Sequence, residues 1–263
     1  MSQDARLLQA DEGAVSATTL LSAAEAGDDA AILSLLQNGS VVDEATSTGT
    51  TALMKAAHGG HTLVVEHLLS HGADASLHET TNGNTALILA SASGHAHVTR
   101  RLLTHAAVTP TESDREGRTP LLYAARRGHT EVLELLIAAA LTSAAGAVDA
   151  TDETGLTPLM AAAQNGATPS LQLLLAAGAS VFARDDMGET ALHAAARSGH
   201  VDAARVLLEH GARADARDDD GNMPHDVAGT EELHDMLVAA LDEQYENWSE
   251  KSYDSAQDDR PWH

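Results

Sequence analysis

The chain has 263 residues and a formal net charge of −24, from 39 acidic against 15 basic residues, and it contains no cysteine. A chain this acidic repels phosphate backbones, so we expect no nucleic-acid binding, and without cysteine it has neither a disulfide framework nor a thiol nucleophile. No apolar run approaches the ~18 to 20 residues of a membrane span, and the first residues lack the basic-then-apolar order of a signal peptide, which predicts a location in the cytosol or the nucleus and no membrane partner.

One motif recurs along the chain and predicts its organisation. It reads G-x-T-P/A-L-x-x-A-A-x-x-G-H, and successive copies begin 34, 34, 38, 33 and 33 residues apart, at Gly49, Gly83, Gly117, Gly155, Gly188 and Gly221. A unit of this size, with a turn and two short helices, cannot bury its own apolar face, so consecutive units must stack into one elongated core. The period therefore predicts an all-α solenoid of stacked helix-turn-helix units.

The unit starts divide the chain into three parts. Residues 1–15 form an N-terminal extension, residues 16–242 form the repeat domain, and residues 243–263 form a C-terminal tail. Within the repeat domain, the seven units begin near residues 16, 49, 83, 117, 155, 188 and 221. The first and last units depart from the motif, as at Asp28 and Pro224, and are predicted to cap the two ends of the stack with polar faces.

The unit that begins at Gly188 illustrates the predicted local structure. Thr190 is placed to cap a first helix over 191–198, which Gly199 ends. A second helix over 201–210 has its leucines toward the core and ends at Gly211. Residues 212–221 then form an extended, hairpin-like finger that leads to the next unit.

Two further features follow from the alignment of the units. The unit that begins at Gly117 carries about five extra residues near positions 141–145, which we interpret as a longer loop between units. Equivalent positions of the second helices alternate in charge, which predicts ion pairs between neighbouring units; they are Glu66, Arg100, Glu134, Gln172 and Arg205.

The copies of the motif resemble the ankyrin repeat. The resemblance is carried by Thr-Pro/Ala-Leu triplets, each followed by an alanine pair, and by an Asp three residues before the motif glycine; the triplets begin at Thr51, Thr85, Thr119, Thr157 and Thr190, and the aspartates are Asp114, Asp152, Asp185 and Asp218. The resemblance implies protein-protein interaction as the function. It also implies that a partner binds a concave side lined by the finger tips and the exposed ends of the first helices.

The fifteen histidines raise the question of a metal site. Candidate pairs are His58 with His61, and His67 with His71, but no third carboxylate or cysteine is spaced to complete a site. Seven of the fifteen histidines recur with the period of the repeat, which favours a polar ladder between stacked units. The acidic run at Asp218 lacks the ligand spacing of a calcium loop and is interpreted as a finger turn. We expect no bound metal.

Catalytic signatures are missing from the sequence. It contains no phosphate-binding G-x-x-x-x-G-K-[ST] loop, no G-x-S-x-G nucleophile elbow and no H-E-x-x-H zinc helix. We therefore predict that the protein is not an enzyme and has no cofactor and no small-molecule substrate.

Arginine is concentrated in the unit that begins at Gly117, at positions that match the concave side of ankyrin-repeat proteins. The candidate partner-binding residues on this side are Arg115, Arg118, Arg126, Arg127, Gln164, Asn165, Met187, Arg197 and His58. Guanidinium groups bind carboxylates and phosphates bidentately, so one hypothesis is that the arginines receive an acidic or phosphorylated segment of a partner. The alternative is that they are solvated and balance nearby acids such as Glu112 and Glu131.

The C-terminal tail is acidic and holds four of the six aromatic residues of the chain. Its composition is typical of a disordered segment. Three interpretations remain open: Tyr245 and Trp248 cap the last unit, the remainder of the tail is a linear motif for another protein, or the tail folds back over the arginines and masks them. Trp248 and Trp262 are counted among the candidate partner-binding residues.

The predicted function is that of a non-catalytic adaptor or scaffold that binds another protein. The alternative is an assembly chaperone, or an inhibitory or regulatory subunit of a larger enzyme complex. Fold alone does not separate these roles.

Overall fold

The computed structural model describes residues 19–143 and 147–257. The N-terminal extension, residues 1–15, lies outside this part of the chain.

Thirteen α-helices and one 3-10 helix, Ala147–Asp149, form in the described residues, and twelve of the α-helices occur as six consecutive pairs. The first helices of the pairs are α1 Leu20–Ala26, α3 Ala52–Gly59, α5 Ala86–Ser93, α7 Pro120–Arg127, α9 Pro158–Gln164 and α11 Ala191–Ser198. The second helices are α2 Asp29–Gln37, α4 Thr62–Ser70, α6 Ala96–Leu103, α8 Thr130–Ser143, α10 Thr168–Ala176 and α12 Val201–Glu209. The chain continues into α13, Glu231–Gln257. Each first helix contacts the next first helix, and each second helix the next second helix, so the predicted all-α solenoid is confirmed.

The threonine of each motif starts a first helix. Thr119, for example, lies in extended conformation before α7, and its hydroxyl accepts a hydrogen bond from the backbone N–H of Leu122 at 3.2 Å. Pro120 follows at the first helical position, where its missing N–H costs nothing. Gly128 ends the helix at φ 71°, a left-handed conformation that favours glycine.

The core is continuous along the stack because equivalent apolar residues are buried in every unit. The motif leucines are at most 2% exposed; they are Leu53, Leu87, Leu121, Leu159 and Leu192. Alanine pairs such as Ala124 and Ala125 are fully buried between neighbouring first helices. Alanine permits this close approach, so a larger side chain there would separate the units.

The fingers are joined to one another by backbone hydrogen bonds. The N–H of Arg115 donates to the carbonyl of Asn82 at 2.9 Å, and the N–H of Glu153 donates to the carbonyl of Glu116 at 2.9 Å. Equivalent bonds connect the other neighbouring fingers, from Thr80 to Thr48, from Asp186 to Thr154 and from Asp219 to Met187. This ladder holds each finger against the next, which fixes the spacing of the finger tips.

The extra residues after Ile137 lengthen a helix, so the predicted longer loop is wrong for their first part. α8 has 14 residues and continues through Ser143, whereas α10 has 9. Alanine and leucine, which dominate this stretch, are strong helix formers, and they extend the helix before the chain turns. The remaining insertion residues, 144–146, lie outside the described part of the chain.

Ion pairs between second helices occur, but not between the predicted partners. Glu66 pairs with Arg101 at 3.3 Å, and Arg100 pairs with Glu131 at 3.6 Å. The predicted pairs were Glu66 with Arg100 and Arg100 with Glu134. The observed partner of Glu66 lies one residue further along α6, and the observed partner of Arg100 lies about one helical turn earlier in α8. The side chains involved are 38–63% exposed, so these pairs contribute little to stability.

The last unit lacks a first helix. Turns over 222–230 take its place, and the N–H of Gly229 donates to the carbonyl of Ala196 at the end of α11 at 2.8 Å. α13 then packs through Leu233 and Leu237, which are fully buried. This arrangement closes the apolar core at the C-terminal end of the stack.

α13 continues without interruption past residue 242, where the sequence predicted the repeat domain to end. The helix has 27 residues, so the predicted disorder is wrong for residues 243–257. Gln244 attaches the helix to the last finger, since its amide donates to the carbonyl of Ala212 at 2.8 Å and accepts from the N–H of Ala214 at 2.9 Å. Tyr245, which one of the three interpretations of the tail placed on the last unit as a cap, is 50% exposed.

No helix in the described residues has the length and apolar character needed to cross a bilayer. The longest, α13, is rich in acidic residues.

Candidate functional site

Asp114 organises the finger that carries the predicted arginines. Its buried carboxylate accepts hydrogen bonds from the backbone N–H groups of Glu116 at 3.0 Å and Arg118 at 2.9 Å. It also accepts from the Arg118 Nε at 2.8 Å and from the Tyr123 hydroxyl at 2.8 Å. The aspartates of the following fingers accept the same backbone bonds; they are Asp152, Asp185 and Asp218. The prediction that Asp218 belongs to a finger turn is confirmed.

Arg118 is held inside its own finger. Besides its bond to Asp114, it pairs with Glu116 at 2.7 Å and lies over the ring of Tyr123 at 5.2 Å, and its side chain is only 19% exposed. Burial and the hydrogen bond to Asp114 raise the pKa of Tyr123 to about 12, so the phenol keeps its proton and remains a donor. The guanidinium of Arg118 is thus engaged by groups of its own finger and first helix.

The remaining three arginines of this unit are exposed, but they form two separate groups. Arg115 lies on the finger, where its Cγ is packed against Gly83 of the preceding finger. Arg126 and Arg127 are the last two residues of α7. The eight residues of α7 span about 12 Å, which separates the finger arginine from the pair at the helix end.

The first helices form a strip of distinctive charge. From α3 to α11 these five helices contain no acidic residue, although the chain as a whole carries a charge of −24. Their cationic residues are Lys55, Arg126, Arg127 and Arg197. Lys55 pairs with Glu25 at 2.7 Å, and Arg197 pairs with Glu189. Arg126 and Arg127 have no ion-pair partner within the described part of the chain. Their positive charges are therefore available to bind another molecule.

A cleft lies beside these two arginines, where the ends of three first helices meet. Its volume is 560 Å³, and its walls are Ala92, Ser93, Arg126, Arg127, His129, Asn165 and Ala167. None of the described carboxylates lines it. We call this space the α7 cleft.

The other predicted residues are distributed along the same strip and the adjoining fingers. Gln164 and Asn165 are exposed at the end of α9, and the Asn165 amide donates to the carbonyl of Ala161 at 2.9 Å. His58 is exposed at the end of α3, and its Nδ1 lies 3.2 Å from the Ser93 hydroxyl. Met187 is 64% exposed on a finger. Arg197 is occupied by Glu189. The α7 cleft therefore brings together Arg126, Arg127 and Asn165 but none of the others.

Two members of the predicted partner-binding set, Trp248 and Trp262, lie in the C-terminal tail. Only the backbone of Trp248 is described, within α13, and Trp262 lies outside the described residues.

Histidines connect neighbouring units, as the sequence predicted for one of the two recurring positions. The Nε2 of His61, His95 and His129 faces a carbonyl of the preceding unit, at Glu25 (3.1 Å), His58 (2.9 Å) and Ala92 (3.2 Å). The second recurring position behaves differently, because His71 and His210 bond to a carbonyl of their own helix. Among the described residues no group of three or more His, Cys, Asp or Glu is arranged to hold a metal ion.

One residue of the cleft, Ala167, was missed by sequence reasoning. The signal was present, since Ala167 occupies the motif position at which His61, His95, His129 and His200 occur in other units. Its significance depends on the space that a histidine ring fills, which only the packing reveals.

Comparison with known proteins agrees with the repeat architecture. The sequence model described as "Ankyrin repeats (3 copies)" matches residues 4–79, 64–144 and 138–218. The ankyrin repeat domain of human ASB11 is similar in structure, with 28% identity and a TM-score of 0.74 over 84% of this chain and 96% of that chain. The ankyrin repeat domain of Bcl-3, a member of the IkappaB protein family, is similar with 27% identity and a TM-score of 0.69 over 83% of this chain and 97% of that chain. No curated protein matches the sequence.

Proposed function

Because the chain belongs to the ankyrin-repeat family, we propose that it is a non-catalytic adaptor or scaffold that binds an acidic or phosphorylated segment of another protein at Arg126 and Arg127. Ankyrin repeats are generally protein-protein interaction modules. The proposal needs neither a metal nor a cofactor. We also propose a location in the cytosol or the nucleus, because a chain without cysteine has no disulfides that would need an oxidising compartment.

The observation that supports this proposal is that Arg126 and Arg127 lie on a strip of first helices without acidic residues and have no ion-pair partner among the described residues. Two exposed guanidinium groups that pair with no carboxylate in the described part of the chain are available to an external anion, and they recognise it with directed hydrogen bonds. The acidic remainder of the surface repels a negative segment that approaches elsewhere, so the field of the whole protein directs it to this strip.

The stack presents this surface rigidly. The ladder of backbone bonds between fingers and the buried alanine pairs between first helices leave little freedom for one unit to move against the next. A partner therefore meets a preformed surface, and a few anchors supply most of the affinity.

Affinity purification from native extract tests the proposal. The variant Arg126→Gln/Arg127→Gln removes both charges, and Arg100→Gln/Arg101→Gln on α6 is its matched control, because it removes an adjacent arginine pair of similar exposure from the second helices. We expect the first variant to capture no partner. The wild type and the control should capture it and release it when the salt concentration is raised.

Equal recovery of the same partner by the wild type and both variants would contradict the proposal. The identity of the captured protein distinguishes an adaptor from the two alternative roles, an inhibitory subunit and an assembly chaperone. An enzyme whose activity falls on binding would identify an inhibitory subunit, and a partner released from a completed complex would identify an assembly chaperone.

A further inference from the structure

Ala167 interrupts a packing arrangement that recurs at four of the other interfaces between units; at the interface with the last unit, the nearest atom to a Cβ on Gly199 is the Cγ2 of Thr230, at 3.3 Å. At four interfaces the histidine before a second helix places its ring over the glycine that follows the first helix of the preceding unit. A Cβ on that glycine would lie 2.4 Å from the ring of His61 at Gly27, 2.6 Å from His95 at Gly60, 2.7 Å from His129 at Gly94 and 2.6 Å from His200 at Gly166. At Gly128, the nearest atom is the Cβ of Ala167, at 3.5 Å.

The missing ring has two consequences at the end of α7. The space that a ring occupies elsewhere is open and forms part of the α7 cleft. The carbonyl of Arg126 corresponds to the carbonyls that accept from His61, His95 and His129, but none of the described imidazoles bonds to it. The cleft is thus a local departure from the repeat, located where the two unpaired arginines lie.

The polar groups that line the cleft differ in their availability. The Asn165 amide bonds to Ala161, the Ser93 hydroxyl contacts His58, and the His129 ring faces the carbonyl of Ala92. These contacts hold the walls in place. The guanidinium groups of Arg126 and Arg127 have no such commitment to a carboxylate among the described residues, so they are the donors that a ligand meets.

We propose that the α7 cleft is a phosphate-binding site that recognises a phosphoserine or phosphothreonine on the partner segment. This inference rests on the proposed function and deepens it. A phosphate monoester carries a charge of about −1.5 to −2 at neutral pH and has three acceptor oxygens, which matches two adjacent guanidinium forks. A carboxylate has one charge and two oxygens, so it neutralises one arginine and leaves its neighbour unpaired. The charge of −24 disfavours the phosphates of a nucleic acid as the ligand.

Filling the cleft provides a test that leaves both arginines in place. Ala167→His introduces the residue that the chain itself uses at the equivalent position of other units, and its ring fits over Gly128 as His95 does over Gly60. Ala167→Ser is the matched control, because it keeps the cleft open. The probes are two short, fluorescently labelled Gly-Ser-Asp peptides that are identical except for one central phosphoserine, with inorganic phosphate as a competitor.

We expect the wild-type protein and Ala167→Ser to bind the phosphorylated peptide about tenfold more tightly than its unphosphorylated form or better. Inorganic phosphate should displace it. Ala167→His should lose this preference while its circular dichroism and melting temperature stay at or above those of the wild type. If the histidine variant does not fold, Ala167→Gln fills part of the same space and replaces it in the comparison.

Equal affinity for the two peptides, or an undiminished preference in a folded Ala167→His protein, would overturn the inference. The proposed function is tested separately. It survives if Arg126→Gln/Arg127→Gln weakens both peptides equally, since the strip then binds acidic segments without reading phosphate. It fails alone if the phosphopeptide binds in the cleft but the native partner is retained by that variant.

Discussion

Replacement of Asp114 by alanine should destabilise the protein more than the equivalent change in another finger. The carboxylate of Asp114 is fully buried and accepts four hydrogen bonds, two from backbone N–H groups and one each from Arg118 and Tyr123. Its removal leaves the guanidinium of Arg118 without its buried partner, although Glu116 still pairs with it and part of it reaches solvent. Breaking a buried ion pair costs about 3 to 5 kcal/mol, and the partial exposure of Arg118 places this case at the lower end, about 3 kcal/mol.

Asp152→Ala is the matched control for this prediction. Asp152 makes the same kind of turn, accepting from the N–H groups of Thr154 at 2.9 Å and Leu156 at 3.1 Å, but no arginine or tyrosine of the described residues bonds to it. Its loss should cost about 1 to 2 kcal/mol. Urea denaturation followed by circular dichroism at neutral pH measures both variants.

The pairing with Tyr123 can be isolated by a double-mutant cycle. Tyr123→Phe removes one donor to the Asp114 carboxylate and should cost about 1 kcal/mol, and the two changes together should cost less than their sum, because they remove the same bond. An Asp114→Ala protein as stable as Asp152→Ala, or strictly additive changes, would refute the view that Arg118 is held for structural reasons.

Two further predictions concern buried polar side chains in the first helices. The hydroxyl of Ser91 is fully buried and has no hydrogen-bond partner among the described residues, and other units have alanine at the equivalent position, as at Ala57 and Ala125. Ser91→Ala should therefore raise the free energy of unfolding, measured in urea, by about 1 kcal/mol. An unchanged or lower value would contradict this. Burial lowers the pKa of His193 from its usual 6.5, and its neutral ring accepts from the N–H of Thr190 at 3.2 Å while its Nε2 faces the carbonyl of Asn222 at 3.1 Å. The unfolded chain then takes up the proton at a higher pH than the folded chain, so stability is complete above pH 6.5 and declines as the pH falls toward the folded pKa; His193→Gln should lack this decline, and parallel pH profiles would count against it.

Much of the architecture could be predicted from the sequence because the signals are local. The capping threonine, the alanine pair and the left-handed glycine act within a dozen residues of one another, and their recurrence every 33 or 34 residues implies stacking. The same holds for the finger aspartates, whose carboxylates bond to N–H groups two and four residues further on.

Other features depended on what the tertiary structure brings together. Arg118 and Arg126 are both arginines of one unit, yet one is enclosed by Asp114 and Tyr123 and the other is exposed. The composition of the C-terminal segment indicated disorder, but Leu233 and Leu237 anchor the start of α13 and Gln244 bonds to the last finger, so the helix continues.

The α7 cleft shows the division most clearly. The order of the residues already shows that alanine replaces histidine at position 167 and that two arginines end α7. Only the packing of one unit on the next decided that the alanine leaves an open space beside those arginines, because a ring in that position fills the gap over a glycine that lies more than thirty residues earlier in the chain.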